Sequence, residues 1–116
     1  MGKVTTHVLD TALGQTAAGM AVVLYRLLPG GGEELIAASS TNEDGRLDRP
    51  LVEGDRFAEG LYEIRFFVGR YFEEKPGLAP SIWDVVPIAF RVKDASQHYH
   101  IPLLVAPGAY STYRGS

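Results

Sequence analysis

Apolar residues in this chain recur at every second position in short runs, and turn-forming residues separate the runs. Period-two alternation is the mark of half-buried strands. It predicts strands over residues 4–9, 20–28, 34–40, 61–69, 83–92, 98–105 and 110–113. Pro29-Gly30-Gly31-Gly32 lies between the second and third as a hairpin loop, where glycine takes up positive φ without steric cost. Asn42-Glu43-Asp44-Gly45 forms another turn and delivers Arg46 to a rim as the chain becomes extended again. No long segment keeps the i, i+3, i+4 spacing of a helix. The one helix candidate, residues 71–75, is cut off after little more than a turn by Pro76-Gly77. With no repeat, linker or low-complexity tract, the pattern predicts a single all-β domain over residues 1–116, a sandwich or a barrel.

Strand parity locates the chemistry, because alternate side chains point to opposite faces. In the late strand Tyr99, Ile101, Leu103 and Val105 share a core-like face, while His98, His100, Pro102 and Leu104 share the other. The two imidazoles then stand about 7 Å apart along the strand. In the first strand Val4, Thr6 and Val8 oppose Thr5, His7 and Leu9. All three histidines of the chain therefore fall on the non-core faces. A single such histidine is ordinarily a surface residue, and three of three make a candidate site. Arg46 on its rim is a further candidate, as is the stretch Tyr113-Arg114-Gly115-Ser116, which supplies a phenol, a guanidinium, a flexible joint and a hydroxyl after a packed strand. Together they suit the wall of a polar pocket.

Composition narrows the classes. At 116 residues, 46% hydrophobic and 22% charged, the chain is long enough to bury roughly two thirds of the surface its unfolded form exposes. Eleven Lys and Arg are scattered among fourteen acids for a net charge of −3, which leaves no basic face for nucleic acid. The longest apolar run, residues 17–25, is too short to cross a bilayer, and residues 1–7 hold no hydrophobic signal core. The expectation is a cytoplasmic protein with neither a nucleic-acid nor a membrane partner. Cysteine is absent, so disulfides, thiolate ligands and thiol nucleophiles are excluded. His-x-His with a distant third histidine has the donor types of a zinc site, but Asp94 is the only nearby carboxylate that could orient such ligands. No nucleophile-elbow sequence surrounds Ser81, Ser96, Ser111 or Ser116, and no glycine-rich phosphate loop opens a helix.

Four segments in order carry a family resemblance: His7-Val8-Leu9-Asp10, Asp44-Gly45-Arg46, His98-Tyr99-His100-Ile101-Pro102-Leu103-Leu104, and Ser111-Thr112-Tyr113-Arg114-Gly115-Ser116. The chain resembles the transthyretin-related 5-hydroxyisourate hydrolases over essentially its whole length. Ala106, where a serine is frequent, and residues 81–87 depart from the family pattern without touching a motif. The resemblance implies a transthyretin-like β-sandwich of two four-stranded sheets with one short helix. It implies a homotetramer, a dimer of dimers, with the motif residues lining a central channel. The implied activity is hydrolysis of 5-hydroxyisourate to 2-oxo-4-hydroxy-4-carboxy-5-ureidoimidazoline after urate oxidation, with no metal and no cofactor.

Opening an amide-type ring with water requires a base near neutral pH and a cation for the developing oxyanion. On that basis His100 is expected as base or proton shuttle, His7 as the group that orients the water, and His98 as their neighbour. Arg46 is expected to meet the carbonyl, Tyr113 to close over the substrate, and Arg114 with Ser116 to complete the wall. The alternative is a non-catalytic carrier of a small aromatic ligand in the same channel. Carriers of that type lack the histidine, arginine and Tyr-Arg-Gly-Ser pattern that His7, Arg46, His100 and residues 113–116 preserve here.

Overall fold

The computed structural model describes residues 1–116, and its regular elements are nearly all strands. In chain order they are β1 (Lys3–Thr5), β2 (Val8–Asp10), β3 (Gln15–Thr16), β4 (Ala21–Leu27), β5 (Glu33–Ser40), β6 (Val52–Glu53), β7 (Gly60–Phe66), α1 (Val68–Glu73), β8 (Val86–Val92), β9 (His98–His100), β10 (Leu103–Ala106) and β11 (Ala109–Thr112). A single 3-10 turn, Gly54–Arg56, lies between β6 and β7.

Four strands form one antiparallel sheet in the order β5-β4-β7-β8. Val22 and Leu24 of β4 and Tyr62, Ile64 and Phe66 of β7 are fully or almost fully buried, as strict alternation requires of one face packed on a core. The β4–β5 hairpin closes where the Leu28 amide donates to the Gly32 carbonyl at 2.7 Å. The facing layer comes in two segments, β6-β1-β9 and β11-β10-β2-β3. Its central pairing is parallel and continuous in register: Thr5 faces His100 and Val8 faces Leu103. Between them the Ile101 amide donates to Thr5 O and the Leu103 amide to His7 O, both at 2.9 Å. The expected second four-stranded sheet is therefore split into a three-stranded and a four-stranded piece. Pro102 sits at the break, where it has no N–H to offer a ladder. Twenty-one buried apolar residues from both layers and the helix make one core.

Further details depart from the sequence expectation, and the strand expected over residues 83–92 begins only at Val86. The strand predicted over residues 61–69 ends at Phe66, and the helix begins earlier than expected, at Val68. Val68, Tyr71 and Phe72 are its buried stripe, and the Tyr71 hydroxyl donates to Asp10 Oδ2 at 2.7 Å. Asp10, also buried, takes the Ala12 and Leu13 amides on its other oxygen, so this carboxylate ties the helix to the end of β2. Pro102, expected on an exposed face beside the histidines, is buried, while Leu104 is half-buried.

Candidate active site

The parallel register of β1 with β9 sets Lys3 opposite His98 and Thr5 opposite His100. Side chains of the same parity then share a face, which brings Thr5 between the two imidazoles. Its Oγ1 lies 2.7 Å from His98 Nε2 and 2.8 Å from His100 Nδ1, with the ring centroids 6.1 Å apart. His98 is exposed and His100 half-buried, so the expected non-core placement holds for both.

Arg46 reaches the same place through its turn. Gly45 has φ of 74°, and a Cβ there would fall 2.4 Å from the Val8 carbonyl oxygen, so only glycine permits this close approach to β2. The Val8 amide donates to Gly45 O at 2.8 Å. Asn42 holds the turn from within: its Oδ1 accepts the Asp44 and Arg46 backbone amides, and its backbone N–H donates to Arg46 O at 2.7 Å. The result is a bridge pairing His7 with Arg46. His7 Nε2 lies 2.8 Å from the Asp44 carbonyl oxygen. A carbonyl only accepts, so Nε2 carries a proton, and it is Nδ1 that can offer a lone pair whenever the ring is neutral.

The last residues extend the β10–β11 ladder. Leu103 pairs with Thr112, and a bridge pairs His100 with Gly115 in the same register, the Gly115 amide donating to His100 O at 2.7 Å. Parity then turns Tyr113 and Gly115 to the histidine face and Arg114 away from it. Arg114 corrects the expectation that it walls the pocket. Its guanidinium lies 4.3 Å from the Tyr99 ring centroid and donates to Gln97 Oε1 and His98 O, each at 3.1 Å. It braces β9 from behind. Gly115, expected as a flexible joint, is a packing glycine: a Cβ there would stand 2.5 Å from His100 Cδ2.

These pieces enclose a cavity of about 520 Å³ lined by Thr5, Thr6, His7, Arg46, Leu47, Arg49, His98, His100, Tyr113, Gly115 and Ser116. Six of the seven residues expected at the site line it, Arg114 being the exception. Thr5, Thr6, Leu47 and Arg49 are additions to the expected set, and Gly115, expected only as a joint, lines the cavity as well. Thr5 shares the parity of His7, a signal that is present in the sequence. Arg49 has no such signal, because it arrives through a bend at Asp48 and Arg49. No Asp or Glu side chain lines the cavity. Burial first, then Arg46, His98 and His7, hold His100 below the ordinary histidine range, and burial, then Lys3 and Arg114, lower His98. Neutral rings at neutral pH follow, suited to accept protons. The ring nitrogens meet a threonine hydroxyl and a carbonyl, and nowhere in the chain do three His, Asp or Glu side chains cluster as a metal site requires. No helix is long and apolar enough to cross a membrane.

A family model described as HIUase/Transthyretin family matches residues 4–115. The 5-hydroxyisourate hydrolase of Halalkalibacterium halodurans is 53% identical over 117 residues, covering 99% of this chain and 98% of that protein. The structure of Klebsiella pneumoniae 5-hydroxyisourate hydrolase superposes with a TM-score of 0.84 at 33% identity, covering 100% of both chains. That of an (S)-allantoin synthase superposes with a TM-score of 0.91 at 42% identity, and this chain, 99% covered, spans 44% of its length. The family match over residues 4–115 and the identity along nearly the whole length of a 5-hydroxyisourate hydrolase agree, and the chain belongs to the HIUase/Transthyretin family.

Proposed function

We propose that this chain is a single-domain 5-hydroxyisourate hydrolase of the cytoplasm, which opens its substrate by water attack to give 2-oxo-4-hydroxy-4-carboxy-5-ureidoimidazoline as purines are degraded after urate oxidation. The observation that carries this is the convergence of His7, Arg46 and His100 on one cavity without a carboxylate side chain, in a chain of this family. Leu47 and Tyr113 are the only hydrophobic liners, which suits a carbonyl-rich heterocycle better than the greasy aromatic of a carrier.

The mechanism uses the two free imidazole nitrogens. His7 Nδ1 accepts one hydrogen of a water, and His100 Nε2, which has no protein partner, accepts the other. The water oxygen then directs a lone pair at the ring carbonyl. As it attacks, His100 takes the proton as general base and afterwards delivers it to the departing ring nitrogen. Arg46 presents a forked, fixed charge to the carbonyl oxygen as it becomes an oxyanion. Arg49 adds a second cation to the wall. Tyr113, 58% exposed at the rim, covers the substrate, and Ser116 closes the side beside it.

The working form in this proposal is a homotetramer, a dimer of dimers. In support, β11 is a sheet-edge strand exposed along its whole length, which leaves a row of unpaired backbone groups for a second copy. Light scattering during size exclusion should give about four times the 12.6 kDa chain, and a fully active monomer would contradict it.

The activity is tested by generating 5-hydroxyisourate from urate with urate oxidase and following its absorbance. Decay should accelerate in proportion to added protein, and decay at the buffer rate would remove the proposal. The same assay tests the packing of Gly115. Gly115→Ala pushes a methyl into the His100 ring and should lower kcat by about 100-fold with little change in melting, since an ångström of misplacement is enough. Parent activity in that variant would show that the His100 ring needs no such seat.

A further inference from the structure

The His-x-His strand presents two rings to one hydroxyl. Thr5 Oγ1 stands within hydrogen-bond distance of His98 Nε2 and of His100 Nδ1 at once. A hydroxyl has one proton to give and lone pairs to receive. Between two neutral imidazoles it donates to one and accepts from the other, which couples their tautomers. Either both rings carry their proton on Nδ1, or both carry it on Nε2. Only the first arrangement leaves His100 Nε2, on the cavity side of this chain of bonds, with a lone pair for water.

We propose that Thr5 is a positioning residue that holds His100 in its Nδ1–H form and relays the proton taken from water to His98 at the protein surface. This deepens the hydrolase proposal and rests on it. The relay balances atom by atom. Water gives a proton to His100 Nε2, the His100 Nδ1 proton passes to Thr5 Oγ1, and the Thr5 hydroxyl proton passes to His98 Nε2. Hydroxide is left for the attack, His100 and Thr5 end neutral, and His98 ends as the imidazolium. The reverse passage returns a proton through Thr5, so that His100 Nε2 delivers one to the departing nitrogen and both rings regain their Nδ1–H forms.

The surroundings favour moving the charge. Arg46 and His7 face His100, and no carboxylate side chain lines the cavity to neutralise an imidazolium there. His98 is the more exposed of the two rings and so the less costly place for the charge, while its partial burial, with Lys3 and Arg114 beside it, keeps the imidazolium short-lived and favours prompt return of the proton.

Long-range proton–nitrogen NMR of the parent at pH 8 is the first test, because it needs no variant. Both rings should report protonated Nδ1 and bare Nε2, and a resting His100 protonated on Nε2 would overturn the proposal. Thr5→Val keeps the branched shape of a strand residue and removes the hydroxyl. It should lower kcat by about 100-fold with KM nearly unchanged, and His98 and His100 should lose their matched tautomers. Thr5→Ser, which restores the hydroxyl, should recover most of kcat and the matched pattern. Parent kcat and an unchanged nitrogen pattern in Thr5→Val would sink the relay, as would a folded Thr5→Ser as slow as Thr5→Val. A parent protein that fails to accelerate 5-hydroxyisourate decay would instead overturn the hydrolase proposal itself, and the relay with it.

Discussion

His100→Ala should lower kcat for 5-hydroxyisourate by about 1000-fold while melting within a few degrees of the parent. The ring is half-buried on the cavity side of β9, so its loss removes the base without opening the core on the opposite face. His7 retains its lone pair and can still hold water, which is why the loss stops short of complete inactivity. The pH profile of the parent carries the same signature. A base must be unprotonated to act, and burial together with Arg46 makes the His100 ring bind its second proton more weakly than usual. Activity should therefore stay level from pH 8 down through 7 and fall only below histidine's ordinary value of about 6.5. A profile already falling between pH 8 and 7 would contradict this environment. Melting curves and separate kcat and KM values distinguish lost chemistry from lost folding.

Arg46→Ala should produce two effects that no purely structural role would combine. Loss of the oxyanion donor should lower kcat by about 100-fold to 1000-fold. Removing the guanidinium also relieves the charge repulsion on His100, so the acid limb of the profile should move to higher pH. Arg46→Lys separates the two. It keeps the charge and hence the position of the limb, but it lacks the fork and should remain slow. An Arg46→Ala protein with the parent profile would mean that the guanidinium does not sense the reacting centre.

Parity makes much of the site legible in the amino-acid sequence. The alternation over residues 98–105 separates His98 and His100 from Tyr99 and Ile101, and burial follows that division. The turn at residues 42–45 places Arg46 at a rim, and the bridge to His7 is the consequence. Alternation is a local property, however, and does not say which strand lies alongside. The contact of Thr5 with both imidazoles depends on the parallel register of β1 with β9. The outward turn of Arg114 depends on the antiparallel register that residues 113–116 inherit from β11. Neither register can be read from one strand. Parity groups Pro102 with the histidines and so predicts exposure, yet it is buried at the break between the two segments of the layer. The early start of α1 is hidden for a different reason: Val68, Tyr71 and Phe72 form a helical stripe only one turn long, and the preceding strand pattern runs straight into it.

If the cavity around His7, Arg46 and His100 hydrolyses 5-hydroxyisourate, removing two of its groups should remove the activity and leave the fold. The most direct measurement generates 5-hydroxyisourate in situ and compares its decay with parent protein, with an equal concentration of folded Arg46→Ala/His100→Ala, and with buffer alone. Decay should be rapid with the parent, in proportion to its concentration, and close to the buffer rate with the double variant. Equal acceleration by both proteins would place the chemistry elsewhere in the chain, and no acceleration by the parent would contradict the activity itself.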